Sequence, residues 1–423
     1  MNLKEEIRQQ AAYAKEASGH LARCGTQVKN RVLAAMADAL EKQSHFLISE
    51  NAKDLSAGRE KGLALPLLER LTLSSKRISE MAEGIRAVAA LPDPVGEILG
   101  LTRRPNGMQV GQMRVPIGVI GIIYESRPNV TADTAALCIK SGNAVILRGG
   151  SEAIYSNTAI AFVLNNAGKE SGLPSHSVTF IETTDRQAIF ELLSLSDLID
   201  LIIPRGGAGL MRTIVEYSRI PVMKHDAGIC HTFVDASADI EMAQKIVLNA
   251  KTQRPSTCNA METLLVDQAI APFFLPTMGK HLQEAGVQIR ACPETKTLLE
   301  SAGFKSIALA TEEDWSTEYL DLILSIKIVE GIDAAMAHIA RYGSSHSEAI
   351  ITADYSHAMR FLNEVDAAAV FVNASTRLND GYALGCGAEM GISTSRIHAR
   401  GPMGLEALTC NKFIVLGAGQ VRE

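Results

Sequence analysis

The sequence is poor in aromatic residues, has no excess of positive charge and contains no apolar run long enough to span a membrane. Aromatic residues make up 5% of its 423 positions, and the formal net charge is −6. Nucleic-acid-binding domains are usually basic and stack bases on aromatic rings, so this composition argues against a nucleic-acid ligand. The most apolar stretch, residues 115–124, is about half the length of a membrane-spanning helix.

The cysteines are too scattered along the sequence to predict a zinc site or a set of disulfides. The seven cysteines stand at positions 24, 138, 230, 258, 292, 386 and 410. No pair has the CxxC spacing of a zinc site, and an odd number does not suit a disulfide framework, so we expect thiols, no metal and a reducing compartment. The charged first ten residues lack the apolar segment of a secretory signal, which favours a cytoplasmic protein.

A length of 423 residues predicts two or three domains, and the order of helical and apolar segments predicts an α/β fold. The first 90 residues have helical periodicity, and from residue 116 apolar strands alternate with helices. The predicted strands are residues 117–123, 144–147, 177–181 and 198–203. Near-continuous apolar strands separated by helices predict a parallel sheet covered on both faces, and the ends of such strands commonly bind nucleotides.

Three further regions complete the pattern. A second α/β region runs from about residue 231 to 370. Residues 97–101 and 108–115 predict two strands joined through Asn106-Gly107, a dipeptide typical of hairpins. Residues 412–416 predict a strand near the C-terminus, and no linker of low complexity separates the regions.

Cys258 is the first candidate for chemistry. It lies in a run of small polar residues after Pro255, and an apolar strand, residues 263–266, follows it. Small neighbours leave the sulfur accessible, and a thiolate can form a covalent acyl intermediate. The alternative is a small buried hydrophobic residue, which is the usual role of a lone cysteine.

A glycine-rich turn at residues 204–209 follows a buried strand and opens a helix. Gly206 and Gly207 would let backbone N–H groups approach a phosphate or a nicotinamide ring. The turn lacks GxGxxG spacing, so a simple tight turn remains an equal alternative.

A second turn, Arg148-Gly149-Gly150-Ser151, has the same position between strand and helix. An arginine at the end of a strand can bind a ribose 2′-phosphate, and no acidic residue is in place to bind a 2′-hydroxyl. This pattern favours NADP over NAD. The alternative is a surface arginine at a strand end.

Asn129 opens a predicted helix directly after an apolar strand. It is either the N-cap of that helix or an amide that donates to an oxyanion. The histidines at 225, 231, 338 and 346 lack metal-ligand spacing and are expected to be structural, and no paired carboxylates near Cys258 indicate a general base.

Four segments together resemble the aldehyde dehydrogenase superfamily, in particular its acyl-phosphate-reducing branch. They are the region of Cys258, residues 118–129, residues 147–152 and the segment Ala-His-Ile-Ala-Arg-Tyr-Gly-Ser-Ser-His-Ser-Glu-Ala-Ile at 337–350. The similarity extends over nearly the whole chain. It implies a Rossmann-type parallel-sheet cofactor domain, a second α/β catalytic domain and a small bridging β element.

The resemblance also implies roles for individual residues. Cys258 matches the catalytic thiol, and Asn129 matches the oxyanion asparagine, which outweighs the cap interpretation. Arg148 matches a position where relatives carry a lysine that contacts the adenine ribose. Ser151 stands where NAD-preferring relatives often have a glutamate. Glu318 is similar to the glutamate that holds the nicotinamide ribose, although its surroundings differ from the usual pattern.

One departure from the superfamily is informative. Hydrolytic members carry a glutamate base in a Glu-Leu-Gly-Gly motif, and the matching stretch here is His225-Asp226-Ala227-Gly228. Activation of water against a thioester needs a general base. Its absence favours an acyl group that is exchanged with phosphate rather than with water.

The activity implied is NADPH-dependent reduction of L-glutamyl 5-phosphate to L-glutamate 5-semialdehyde with release of phosphate, a step of L-proline biosynthesis. Arg254, Ser256 and Thr257 are the expected substrate-binding residues, since an arginine forks onto anionic groups. Arg254 could instead pair with a structural carboxylate. Two alternative functions remain: a CoA-acylating relative of the same superfamily and a binding homologue without activity. A transient complex with glutamate 5-kinase is expected because acyl phosphates are labile.

The expected domain limits follow from these assignments. Residues 1–96 and 116–228 form the cofactor domain, 229–370 the catalytic domain, 97–115 and 400–423 the bridging elements, and 371–399 a return segment to the cofactor domain. Exposed strand edges usually pair with another chain, so we expect a homo-oligomer.

Overall fold

The computed structural model describes residues 2–224, 227–305 and 307–422, apart from the side chain of Ala208. The chain forms two compact units. Unit 1 consists of Met1–Lys224, Gly385–Gly391 and Met403–Glu423, and unit 2 consists of His225–Leu384 and Ile392–Pro402. The predicted return segment, 371–399, is therefore divided between the units, because β-structure on either side of residues 385–391 belongs to unit 2.

The helices are α1 (Leu3–Leu21), α2 (Thr26–Lys42), α3 (Ser44–Glu60), α4 (Leu65–Leu71), α5 (Ser75–Ala90), α6 (Asn129–Lys140), α7 (Ile154–Glu170), α8 (Gln187–Ser194), α9 (Ala208–Tyr217), α10 (Ile240–Thr252), α11 (Ala271–Glu284), α12 (Pro293–Ser301), α13 (Gly331–Tyr342) and α14 (Tyr355–Glu364).

The strands are β1 (Ile98–Arg103), β2 (Gln109–Pro116), β3 (Val119–Tyr124), β4 (Ala144–Arg148), β5 (Val178–Phe180), β6 (Leu201–Arg205), β7 (Cys230–Val234), β8 (Met261–Asp267), β9 (Gln288–Ala291), β10 (Ala308–Leu309), β11 (Ile323–Val329), β12 (Ser347–Ile351), β13 (Ala369–Val372), β14 (Ile392–Ser393), β15 (Gly401–Pro402) and β16 (Thr409–Leu416).

Unit 1 is built on a parallel sheet with the strand order β5-β4-β3-β6. Strands β3 and β4 are buried along their whole length, which is why the sequence shows them as continuous apolar runs. Ile7 of α1 packs into the same core as Val119 and Ile146. The predicted α/β class and its parallel sheet are thereby confirmed.

The N-terminal helices begin where local sequence signals place them. Asn2 and Glu5 form a capping box at the start of α1, with the Glu5 N–H donating to Asn2 Oδ1 at 2.9 Å. Ser74 caps α5, its side chain accepting the N–H of Arg77 at 3.3 Å. The prediction that the first 90 residues are helical is confirmed.

A separate antiparallel sheet in unit 1 has the order β1-β2-β16. Arg103 pairs with Gln109 at the turn around Asn106, as the predicted hairpin requires. Strand β16 pairs with β2 over its full length, Thr409–Leu416. This sheet exposes large apolar side chains, among them Phe413 with 71% of its surface accessible.

Unit 2 contains a parallel sheet with the order β10-β9-β11-β8-β7-β12-β13. Its central strand β8 is buried throughout, and its side chains point alternately into two cores. Leu264 and Val266 pack with α10, α11 and α12, whereas Leu265 packs with α13 and α14. The side chains therefore alternate between the two helical layers, as expected for a strand inside a covered sheet.

In the described ranges, none of the helices has the length and hydropathy that crossing a membrane requires.

Candidate active site

Cys258 lies in unit 2, in the loop between the end of α10 and the start of β8. The small polar residues that precede it form tight turns: Thr257 Oγ1 donates to the Arg254 carbonyl at 2.8 Å, and the Ala260 N–H donates to the Thr257 carbonyl at 3.0 Å. The Cys258 side chain is half-buried, so it is neither a core residue nor fully exposed. The alternative of a small buried hydrophobic residue is therefore wrong.

The backbone of Cys258 rests against two residues that precede strand β7 or open it. A Cβ on Gly228 would lie 1.8 Å from the Cys258 carbonyl oxygen, so only glycine fits there. The Cys230 thiol donates to that same carbonyl, with the sulfur and oxygen 3.1 Å apart. Burial, with the nearby Glu348 carboxylate adding to it, raises the pKa of Cys230 well above its ordinary value and keeps it a donor.

Glu318 is joined to this backbone. The Gly228 N–H donates to Glu318 Oε1 at 2.9 Å. Burial raises the pKa of Glu318, and the hydrogen bond from Gly228 opposes that shift. The structure thus brings Glu318 and Cys258 to the same glycine, although they are far apart in the sequence.

A buried ion pair that sequence reasoning missed supports the Glu318 segment. Lys251 Nζ lies 2.5 Å from Glu262 Oε2, and both side chains are inaccessible to solvent. Glu262 Oε1 accepts the N–H of Leu320, at 3.2 Å. Burial raises the pKa of Glu262 and lowers that of Lys251, and the attraction between the two charges opposes both shifts. The only sequence signal was a charged residue on each side of the Cys258 loop.

Of the three predicted substrate-binding residues, Arg254 and Ser256 are exposed and Thr257 is half-buried. A residue that sequence reasoning missed joins them. Arg377 Nε donates to Gln253 Oε1 at 2.9 Å, and its Nη1 donates to Asn259 Oδ1. Arg377 therefore contacts the Cys258 loop on both sides of the cysteine.

In unit 1, Asn129 is the first residue of α6, and its side chain is exposed. The interpretation of Asn129 as N-cap is wrong, since Pro128 holds the cap position and the helix has no side-chain cap. The Asn129 amide instead donates to Asp133 Oδ2 at 2.9 Å. Burial raises the pKa of Asp133 to about 6, while the Asn129 hydrogen bond and the Arg205 charge act in the opposite direction.

Arg148 ends strand β4, but it is only 6% exposed. The alternative of a surface arginine is therefore wrong. Nη1 donates to the Gly149 carbonyl at 2.9 Å, and Nη2 to the Thr184 carbonyl at 3.3 Å. Burial lowers the pKa of Arg148, and the Glu152 carboxylate opposes that shift. The exposed Ser151 follows Arg148 after two glycines, at the start of a short 3₁₀-helix.

The two glycine turns are closely packed against neighbouring side chains. A Cβ on Gly149 would lie 2.1 Å from Asn157 Nδ2, and one on Gly150 would lie 2.1 Å from Glu152 Oε1. Glu152 Oε1 also accepts the N–H of Ser126 at 2.6 Å. A side chain in the turn after strand β4 would thus displace the ends of the Asn157 and Glu152 side chains.

The second turn, at residues 204–209, donates a backbone hydrogen bond to a carboxylate of the same unit. The Gly207 N–H donates to Glu125 Oε2 at 2.9 Å, and a Cβ on Gly206 would lie 2.5 Å from the same oxygen. Gly207 precedes α9, whose N-terminus has no side-chain cap. A backbone N–H at a helix N-terminus is a candidate donor to a phosphate of a dinucleotide, which would take the place of the Glu125 carboxylate here.

The expected structural histidines lie in unit 2. His231, His338 and His346 are buried, and His231 Nδ1 lies 3.0 Å from Glu348 Oε2. No group of three potential metal ligands occurs within residues 2–224, 227–305 and 307–422. His225 and Asp226, which belong to the stretch compared with the hydrolytic base, lie outside the described residues.

A cavity of about 890 Å³ in unit 1 contains none of the predicted site residues. It lies beside strand β5 and is lined by aromatic side chains of α1, α3 and α7, including Tyr13, Phe46 and Phe162. Cavity size alone would therefore have pointed away from both Cys258 and the glycine turns.

Comparison with known proteins identifies the class. The model of the aldehyde dehydrogenase family matches residues 2–298, which is more than half of the sequence. The chain belongs to this family and is an oxidoreductase of the kind that uses a nicotinamide dinucleotide.

Individual relatives are more specific. The gamma-glutamyl phosphate reductases of Thermodesulfovibrio yellowstonii and Moorella thermoacetica are each 55% identical to this chain over 423 residues. Each alignment covers 100% of this chain and 100% of the relative. The crystal structure of the Thermotoga maritima gamma-glutamyl phosphate reductase is 47% identical, with a TM-score of 0.96, and covers 99% of this chain and 100% of its own. An acetylating aldehyde dehydrogenase from Geobacillus thermoglucosidasius shares the fold at 18% identity, with a TM-score of 0.70 over 100% of this chain and 98% of its own.

Proposed function

We propose that the protein reduces L-glutamyl 5-phosphate to L-glutamate 5-semialdehyde and releases inorganic phosphate, as a step of L-proline biosynthesis. The observation that carries the proposal is the combination of 55% identity over the full length to gamma-glutamyl phosphate reductases with a half-buried thiol, Cys258, in a loop of small residues. A cytoplasmic location is part of this proposal, because the charged first ten residues lack the apolar segment of a secretory signal.

Cys258 is the proposed nucleophile. Its sulfur forms a bond to the carbonyl carbon of the acyl phosphate, the bond from that carbon to the bridging oxygen breaks, and phosphate leaves with the electron pair. When bound, the reduced nicotinamide would supply a hydride to the thioester carbon. Collapse of the resulting tetrahedral carbon breaks the bond to sulfur and restores the Cys258 thiolate as the aldehyde departs.

Amide groups are the proposed donors to the oxygen that becomes negative during attack. The backbone N–H of Cys258 is one, and the Asn129 side chain is the other. One N–H of the Asn129 amide is held by Asp133, which orients the group and leaves its second N–H to donate. Glu318 is the proposed ligand of the nicotinamide ribose.

The thioester is proposed to be protected from water by the lack of a general base. No glutamate stands at positions 225–228, where hydrolytic relatives carry theirs. An acyl enzyme without an activated water persists long enough to be reduced.

NADPH is the proposed cofactor. The two glycine turns, at Gly149-Gly150 and at Gly206-Gly207, would hold its phosphates, with Ser151 beside the first turn. Arg148 would contribute positive charge at the end of strand β4, where a 2′-phosphate would lie. The ratio of the reaction rate with NADP to the rate with NAD, under otherwise equal conditions, measures this preference.

The reverse reaction tests the proposal most directly. Glutamate 5-semialdehyde and NADP should give NADPH, followed by its absorbance, only when inorganic phosphate is present and without coenzyme A. Reduction of NADP that requires coenzyme A and ignores phosphate would instead identify an acylating dehydrogenase.

Cys258→Ala tests the role of the proposed nucleophile. It should abolish turnover and leave NADPH binding, measured by fluorescence titration, within about twofold of the wild type, because the sulfur is needed for chemistry and not for the dinucleotide. Substantial residual turnover would exclude the covalent route. Cys24→Ala, a half-buried thiol in unit 1, is the control and should keep full activity.

A further inference from the structure

Arg377 differs from four other arginines of unit 2, because those four pair with a carboxylate and, among the described residues, Arg377 does not. Arg341, Arg360, Arg396 and Arg400 each lie within ion-pair distance of a carboxylate. Among the described residues, no carboxylate lies that close to Arg377. Its hydrogen bonds run to neutral groups, namely Gln253 Oε1 and Asn259 Oδ1.

A second cation without a carboxylate partner lies near it. Arg254 is exposed, and within the ranges that the structure covers no acidic side chain forms an ion pair with it. Burial lowers the pKa of Arg377, and the positive charge of Arg254 lowers it further. The nearby Asp380 opposes this, but its carboxylate already accepts the N–H groups of Tyr382 and Ala383.

Two like charges held together are unfavourable unless an anion lies between them. Arg377 is kept in this place by its bonds to both ends of the Cys258 loop. Those bonds use Nε and one N–H of Nη1, so the Nη2 side of the fork remains able to bind a planar or tetrahedral oxyanion. The arrangement is therefore that of an anion site rather than of a structural ion pair.

We propose that Arg377 and Arg254 bind the phosphoryl group of the substrate, and the phosphate that leaves it, beside Cys258. This inference rests on the proposed function and adds to it the residues that select an acyl phosphate over other activated acyl groups.

The position of Arg377 selects between the two anionic groups of the substrate. One of its contacts, Asn259, directly follows Cys258 in the chain. In an acyl phosphate a single oxygen separates phosphorus from the carbon under attack, whereas the length of the glutamyl chain separates the carboxylate from it. The group that must lie next to the nucleophile is thus the phosphate, and a paired guanidinium there also neutralises the charge that builds up as phosphate leaves.

The first test uses steady-state kinetics of the reverse reaction with Arg377→Met and Arg254→Met. Loss of a charge-assisted hydrogen bond should raise the KM for phosphate roughly tenfold to a hundredfold in Arg377→Met, and less in the exposed Arg254→Met. The KM for glutamate semialdehyde should change much less. Arg360→Met removes a cation from the same unit, far along the chain from the loop, and is the control that should leave both constants unchanged.

A second test does not depend on turnover. Inorganic phosphate should slow alkylation of Cys258 by iodoacetamide in the wild type and in Arg360→Met, and should lose this effect in Arg377→Met. The thermal midpoint reports whether Arg377→Met is folded, and the phosphate effect is taken as the ratio of the alkylation rates with and without phosphate, because the Arg377 charge itself acts on Cys258.

The outcomes separate the inference from the function on which it rests. A rise in the KM for semialdehyde with an unchanged KM for phosphate would place the α-carboxylate at Arg377 and overturn the inference. Phosphate protection of Cys258 that survives in Arg377→Met would also overturn it. A wild type that shows no phosphate-dependent reduction of NADP would overturn the proposed function itself.

Discussion

At the scale of single residues, burial changes the chemistry of side chains that look ordinary in the sequence. Asp133 sits one helical turn after Asn129 and accepts its amide at 2.9 Å. Burial raises the pKa of this carboxyl to about 6 from an ordinary value of 3.8. The folded protein therefore holds a proton on Asp133 in a pH range where the unfolded chain has lost it.

Replacing this aspartate should stabilise the protein near neutral pH. Asp133→Asn removes the cost of the buried charge, which is present above pH 6, shrinks as the pH falls toward 3.8 and is absent below that value. We expect the thermal midpoint of the protein to rise by about 2–6 °C at pH 7, and the gain to disappear at pH 4. Calorimetry at pH 7, 6, 5 and 4 measures this. A gain that grows toward low pH would contradict the assignment.

At the scale of elements, the Cys258 loop depends on contacts with segments far from it in the chain. Strand β7 approaches through Cys230, the residues before it through Gly228, to which Glu318 is bonded, and the segment after β13 through Arg377. The loop contains local turn hydrogen bonds but no helix or strand of its own. Its conformation is thus determined by these neighbours.

Gly228→Ala tests that dependence. The new Cβ would meet the Cys258 carbonyl oxygen at 1.8 Å, so the loop must move. Overpacking of this kind costs about 1–3 kcal/mol, and we expect kcat to fall at least tenfold with a lower thermal midpoint. Gly19→Ala, where a Cβ meets no atom within 4 Å, is the control and should keep full activity. Wild-type kcat in Gly228→Ala would show that the loop tolerates displacement.

At the scale of the whole molecule, the antiparallel sheet of unit 1 stands out because it buries little of its apolar surface. Strand β1 is exposed along its entire length, and β16 exposes Phe413, Val415 and Leu416. Edges and faces of this kind usually pair with another chain. The homo-oligomer expected from the sequence stays a prediction, and this sheet is where it would form.

A charge placed on this sheet should therefore lower the molecular mass in solution. Phe413→Glu puts a carboxylate in the surface that would be buried between subunits, and we expect light scattering to show smaller species than for the wild type. Phe273→Glu is the matched control, because Phe273 on α11 is also 71% exposed. An unchanged mass for Phe413→Glu, or an equal loss for both variants, would count against a role for the sheet.

Local patterns in the sequence were sufficient for the parallel sheet of unit 1, and they picked out several candidate site residues. Continuous apolar runs predicted β3, β4 and β6, since a strand covered on both sides needs apolar residues on both faces. Glycines at residues 149 and 206 were recognisable because turns between strand and helix need them. Cys258 stood out through its small polar neighbours.

Other features were decided only by the tertiary structure. Whether Arg148 faces solvent or is buried depends on the carbonyl of Thr184, which no local pattern reveals. Arg377, the Lys251–Glu262 pair and the thiol of Cys230 come to the Cys258 loop from separate elements. Periodicity reports the environment of one segment, whereas a site is made where several segments meet. Which distant side chains share a low-dielectric space, and so shift one another's charge, is fixed only when the chain has folded.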